Sequence, residues 1–468
     1  MTPMVVGALS PLLFSQVRED TTVEGYCKPV SVRPGEVLSV YISAAVDYEV
    51  TYIRLTDLDL NTDENSVPLL RPNSYNARFQ EAYDNAWRDG CNWEPSFSLV
   101  VPLDWHSGIY AVKCAGSDGC VTYIVFIVKP KLGKAGHFLV LANTNTWNAY
   151  NSWGGRSRYD DDRNIHRTSF DRPNPGTSPV AFCDYHSPAH LTRSEVWVLK
   201  WLCDCGYKVD VYADHDFHSG IAGLERYCGL IMNGHPEYWT TEMLDNLESY
   251  LGAGGCLLYL GGNGIFERVM YSNSGDALVY HGGDTAPNQL RDNFYFRNLD
   301  TPRPERAILG VGFLYDNYFS DPAPYEIKMD AHRFFAGTGL RNGDKIGQGG
   351  LICAASGREM DSSRRGSAAA GVVVNAWICG DDSSDRGNPP ANLEILAEGT
   401  NRQWRREDGT REGPHAAQLT CYDTASGGFV LSAGSFCFGN SLVVDEDLQR
   451  IVRNALNECL NKAPIRKV

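Results

Sequence analysis

No apolar run in the 468-residue sequence approaches the ~18–20 residues that a membrane-spanning helix needs. Positive charge is also scarce: 42 Lys and Arg stand against 57 Asp and Glu, a formal net charge of −15. Nucleic acid and anionic membranes both require a basic face, so neither is expected as a partner. The opening residues, MTPMVVGALSPLLF, have no basic stretch before their apolar part and are broken by Pro11, so no secretory signal is expected. Cysteine is present, at 14 residues, but without the spacing of a zinc or redox site. The closest pair, Cys203 and Cys205 in CDCG, is not C-x-x-C. Several others sit in apolar runs (YCGLIM, GGCLLYL, LICAAS), as reduced core cysteines of a cytoplasmic protein do.

What is present points to an α/β chain with an all-β part in front. Residues 1–130 carry short alternating runs, VLSVYISA, YEVTYIRL, SFSLVVPL, GIYAVKCA and VTYIVFIVKP, separated by turn signals such as RPGE and GSDG. That pattern predicts an antiparallel, immunoglobulin-like β-sandwich. After the polar linker KPKLGKAG, residues 136–468 alternate strand and helix patterns: HFLVLAN, TRSEVWVLKWLCDCG, KVDVYAD, CGLIMNG, TTEMLDNLESYLGAGG, CLLYLGG. Apolar runs alternating with helices predict a doubly wound parallel sheet. Residues 266–418 have weak periodicity and are expected to be insertions that wall a pocket. GGFVLSAG and the helix pattern DEDLQRIVRNALNECL are expected to complete the sheet.

Ligands of such sheets bind beyond the carboxyl ends of the strands, which selects three loops. The first, TWNAYNSWGGRSRY, gathers Asn, Tyr, Trp and paired glycines suited to a rigid pocket wall, and serves an ordinary packed loop equally well. In the second, IMNGHPEYWT, Thr240 or Thr241 can cap the next helix and Glu237 suits a helix N-terminus. Capping leaves His235 unexplained, and a His and a carboxylate two residues apart suit metal ligation or proton transfer. The third, LGGNGIF, places Asn263 where a G-x-S-x-G elbow carries its nucleophile. Covalent catalysis from this turn is excluded, while an Asn amide can still donate to a carbonyl oxygen.

The segments NTWNAYNSWGGRSRY, NGHPEYW, YLGGNGIF and GGFVLSAGSFCFGNSL with IVRNAL, in that order, resemble the N,N-dimethylformamidase large (beta) subunit family over nearly the whole chain. The resemblance implies a glutamine-amidotransferase-like (flavodoxin-like) α/β domain holding a mononuclear Fe(III) through two tyrosines and one glutamate. Carried onto this chain, it implies Tyr110, Tyr150 and Glu237 as metal ligands, with Tyr159 and Tyr238 as competing tyrosines. His235 is the implied proton carrier, Asn263 a substrate contact, and Glu359 of GREMD a substrate-binding or supporting carboxylate. Phenolate and carboxylate are hard donors that suit Fe(III). A free Tyr titrates near pH ~10, so ligation needs a strongly charged ion. The expected reaction is hydrolysis of a small N-alkylated or formamide-like amide to an acid and an amine, by Lewis-acid polarisation and metal-activated water.

The implied partners are a small amide and further copies of the chain in a homo-oligomer; the sequence itself does not call for a small partner subunit. The chain is shorter than the family's large subunit and is expected to lack its lectin-like domain. Two other readings stand beside this one. One is a non-catalytic or carbohydrate-binding scaffold. The other is a zinc hydrolase using His235, Glu237 and His215 or His218 of DHDFHSG.

Overall fold

The computed structural model describes residues 21–58, 68–133, 136–159, 165–179, 192–280, 295–315, 322–357, 359–363, 387–400, 404–405, 411–412 and 416–462. These residues form a mixed α/β protein with several sheets, parallel and antiparallel. Among them no helix is long and apolar enough to cross a membrane.

Two sheets occupy the amino-terminal part. One has three antiparallel strands, Val23–Lys28, Val37–Ala44 and Phe97–Val100. The other has five, with Gly108–Gly116 between Tyr48–Arg54 and Val121–Val128. Alternation along each strand sends Val40, Ile42, Val50, Tyr52, Val112 and Phe126 into one shared core. The opposite face of the five-stranded sheet is apolar too. Its Ile53, Ile109 and Ile127 join the core of the α/β part, so the two parts are packed together.

The central sheet has nine strands. Five are parallel, in the order Val209–Ala213, Phe138–Ala142, Gly229–Gly234, Cys256–Gly261 and Phe429–Ser432. Continuous apolar runs are needed here because both faces are covered. Phe138 and Val140 share one core cluster with Leu199, Leu202 and Val452 of the helices Thr192–Asp204 and Glu446–Asn461. Leu139 and Leu141 share a second cluster with Met243 and Leu247 of Thr241–Gly252 on the other face.

The region expected to be insertions contributes to the sheet itself. Ala416–Asp423, Glu394–Thr400, Tyr325–Ile327 and Lys345–Ile346 extend it as antiparallel strands beyond Phe429–Ser432. The expected parallel sheet is thus present in five strands and continues into antiparallel ones. The segment DHDFH forms the short helix Asp214–His218.

Candidate active site

Gly229–Gly234 and Cys256–Gly261 end side by side, close enough that a Cβ on Gly261 would lie 2.4 Å from the Gly234 carbonyl oxygen. Beyond them the chain turns sharply at Pro236, with the Glu237 N–H donating to the His235 carbonyl at 2.9 Å. Thr240 then caps the helix by accepting from Met243 N–H at 3.2 Å. His235 and Glu237 are left facing inward, 1% and 5% exposed.

A third strand end, after Phe138–Ala142, supplies the tyrosines. The helix Thr144–Ala149 ends at Tyr150, and the loop after it returns Tyr159 beside it, with ring centroids 4.4 Å apart. The buried Arg172 guanidinium shapes that loop. It donates to the carbonyls of Trp153 at 2.7 Å, Arg156 at 3.0 Å, Asn148 at 3.2 Å and Ser169 at 3.0 Å.

These groups converge on one carboxylate oxygen. Glu237 Oε2 accepts from Tyr159 Oη at 2.7 Å and Tyr150 Oη at 3.4 Å, and lies 2.9 Å from His235 Nε2. His235 Nε2 is also 3.0 Å from Tyr150 Oη, while Nδ1–H donates to the Gly262 carbonyl at 3.1 Å. Burial alone would lower the imidazole pKa, but Glu359 and then Glu237 outweigh it and raise it to about 9. Burial, and next the Glu237 charge, push the Tyr159 and Tyr238 phenols well above their ordinary range.

The third loop lies alongside. Asn263, at φ 51°, donates from Nδ2 to Glu359 Oε2 at 3.1 Å, and Glu359 itself has φ 44°. Asn263 Oδ1 is buried and has no hydrogen-bond partner among the described residues. The backbone N–H of Asn263 is held by both oxygens of Asp361, which also accepts from Tyr259 Oη at 2.6 Å. Asp361, Tyr259 and Arg172 are residues that sequence reasoning missed. Each lies in a segment without periodicity or inside an apolar run that reads as plain core.

The structure thus brings together Tyr150, Glu237 and His235, with Asn263 and Glu359 alongside. It does not bring Tyr110 to them. Tyr110 alternates into the sandwich core, where its ring stacks on Trp105 at 4.8 Å and its hydroxyl donates to the His106 carbonyl at 2.7 Å. Tyr159 is the tyrosine that lies beside Tyr150 and Glu237. His215 and His218 also stand apart, both edge-on to Tyr271, with His218 Nδ1 on Thr240 Oγ1 at 2.9 Å. Among the described residues no group of three or more His, Cys, Asp or Glu is placed to hold a metal ion. A cavity of about 410 Å³ lies between the sandwich and the α/β part, but its lining includes neither Tyr150 nor Glu237.

The described arrangement is that of a mixed α/β protein whose parallel strands end at a buried tyrosine, histidine and glutamate cluster. The chain belongs to the N,N-dimethylformamidase beta subunit-like family, whose C-terminal model matches residues 61–451. It is 25% identical over 446 residues to an N,N-dimethylformamidase beta subunit of Paracoccus aminophilus, covering 80% of this chain and 55% of that one. It is 25% identical over 441 residues to the same subunit of an Alcaligenes species, covering 81% and 56%. The chain therefore spans about half the length of these relatives. A solved thua-like protein from Bacteroides uniformis aligns over 72% of this chain and 98% of its own, at 11% identity and a TM-score of 0.33.

Proposed function

We propose that the chain is an amide hydrolase that uses Tyr150, Tyr159 and Glu237 to hold a mononuclear Fe(III) and acts on a small N-alkylated or formamide-like amide. The observation that carries this reading is the convergence of two phenols and an imidazole on a single buried oxygen of Glu237. The donor set fits the ion: two phenols and one carboxylate are hard oxygen groups, and no thiol stands among them. Bound there, the ion would polarise the amide carbonyl and activate water as a Lewis acid.

The chain's own residues supply the rest. The Nδ1–H bond to Gly262 fixes the imidazole orientation, so that Nε2 faces the cluster and can carry a proton to the departing amine nitrogen. Asn263, next to the Gly262 that holds that ring, keeps a buried amide oxygen with no partner among the described residues, able to accept from the N–H of a secondary amide. A tertiary amide has no N–H, so the aromatic walls formed by Tyr150, Tyr159 and Tyr238 suit it. The burial of the cluster supports a small substrate. The fold reading that accompanies this proposal is an immunoglobulin-like sandwich before a glutamine-amidotransferase-like sheet. Because its relatives are named as subunits, assembly with further chains is part of the proposal.

Metal analysis of protein purified without added metal, followed by assay on a panel of small amides, tests the reading. Bound iron and amine release support it. Full activity in iron-free protein, or no amide turned over by iron-loaded protein, overturns it.

A further inference from the structure

Tyr238 follows Glu237 directly in the chain, but its hydroxyl serves a different group. It donates to the Tyr159 oxygen at 2.7 Å, and Tyr159 donates onward to Glu237 Oε2 at 2.7 Å. The Tyr238 side chain is 1% exposed, and its ring is edge-on to Tyr280. A phenol buried this deeply needs a partner for its O–H, and here that partner is another tyrosine of the site.

The two tyrosines come from separate segments, and one ion pair ties those segments together. Arg158, the residue before Tyr159, pairs with Glu267 at 3.0 Å, both side chains being buried. Glu267 is in turn the register partner of Tyr238, where Tyr238–Trp239 runs parallel to Glu267–Tyr271. The Arg158 guanidinium also lies 4.8 Å from the centre of the Tyr280 ring against which Tyr238 packs. The separation of the two hydroxyls is thus set by buried ionic and ring contacts.

We propose that Tyr238 is a positioning residue whose O–H holds the Tyr159 oxygen and draws electron density from it when that oxygen is a phenolate on a bound metal. The inference rests on the metal-binding reading of Tyr159. Hydrogen bonds from outer groups to metal ligands fix their orientation and tune the ion, and their loss commonly weakens metal binding by about 10–100-fold. Without the Tyr238 donor the Tyr159 phenolate is more electron-rich, so its charge transfer to Fe(III) needs less energy.

The test is the visible spectrum of iron-loaded wild type, Tyr238→Phe and Tyr280→Phe, with circular dichroism as a check of folding. The charge-transfer band is expected to move to longer wavelength in Tyr238→Phe and to stay in Tyr280→Phe, whose lost hydroxyl bonds Thr168 Oγ1 at 2.8 Å. An unmoved band in folded Tyr238→Phe overturns the role of Tyr238 alone. A wild type with no tyrosinate band overturns the metal reading and this inference together. Should Tyr238→Phe not fold, resonance Raman of the unmodified protein puts the same question. The phenolate C–O stretch that disappears in Tyr159→Phe is expected to shift in D2O, and an unshifted mode overturns the proposal.

Discussion

The backbone N–H of Asn263 lies 3.0 and 3.1 Å from the two carboxylate oxygens of Asp361, nearly a hundred residues further along the chain. This contact, with the Tyr259 hydroxyl on the same carboxylate, holds Asn263 in the left-handed region where its side chain meets Glu359. Burial raises the Asp361 carboxyl pKa to about 7. Leaving its buried donors without a partner costs about 1–3 kcal/mol, so Asp361→Ala is expected to destabilise by about that much in chemical denaturation. Asn263→Gly removes the side chain but suits the backbone angle. It also takes the Nδ2 donor from the buried Glu359 carboxylate, so it is expected to cost about 1–3 kcal/mol of stability and to lower amide hydrolysis. A large loss of stability with unaltered turnover would contradict the assignment.

Gly262 admits no side chain. A Cβ there would lie 1.9 Å from the Glu359 carbonyl oxygen and 2.6 Å from the Phe436 nitrogen, both backbone atoms. Gly262→Ala is expected to displace the turn that carries Asn263 and to lower the yield of folded protein, whereas Gly252→Ala, where a Cβ meets nothing, is expected to be silent. Equal thermal stability of the two variants would count against the close approach.

The Arg158–Glu267 pair is buried on both sides. Removing one partner strands a charge, so Arg158→Ala is expected to cost about 3–5 kcal/mol, while Arg158→Met combined with Glu267→Leu is expected to recover much of that loss. A double-mutant cycle measured by urea unfolding decides the point. A coupling energy near zero would mean that the pair does not fix the segment bearing Tyr159.

Glu195 gives the pH dependence a sign. Its carboxyl is buried, and that burial raises its pKa to about 8, although Trp147 Nε1 and the Asn143 N–H donate to it at 2.7 and 3.1 Å. The folded value is above the unfolded one, so folding favours the proton. The contribution is complete below the unfolded value of 4.5 and is lost as pH rises through about 8. The wild-type urea midpoint is expected to fall more steeply than that of Glu195→Gln between those limits. Parallel curves would show that Glu195 folds with its charge.

Much of the scaffold was legible because long apolar runs leave few choices. Phe138–Ala142, Gly229–Gly234 and Cys256–Gly261 lie within HFLVLAN, CGLIMNG and CLLYLGG, and the Thr240 cap marks the following helix. The antiparallel extension was not legible. Tyr325–Ile327 and Lys345–Ile346 are too short to show a period, and their partners lie far away in sequence. In the site, the glycine and proline of NGHPEYW announced the turn that carries His235 and Glu237. The choice between Tyr110 and Tyr159 needed coordinates, since GIYAV and SRY offer the same phenol. Only the strand alternation that sends Tyr110 into the sandwich core separates them.

That choice gives the most direct test. Tyr110→Phe, Tyr150→Phe and Tyr159→Phe are to be purified without added metal and compared for iron content and for the visible tyrosinate band. The expected result is that Tyr110→Phe keeps iron and band unchanged, while Tyr150→Phe and Tyr159→Phe each lose iron or a large share of the band. Loss of iron and band in Tyr110→Phe, with both retained in Tyr159→Phe, would contradict the site described by the structure.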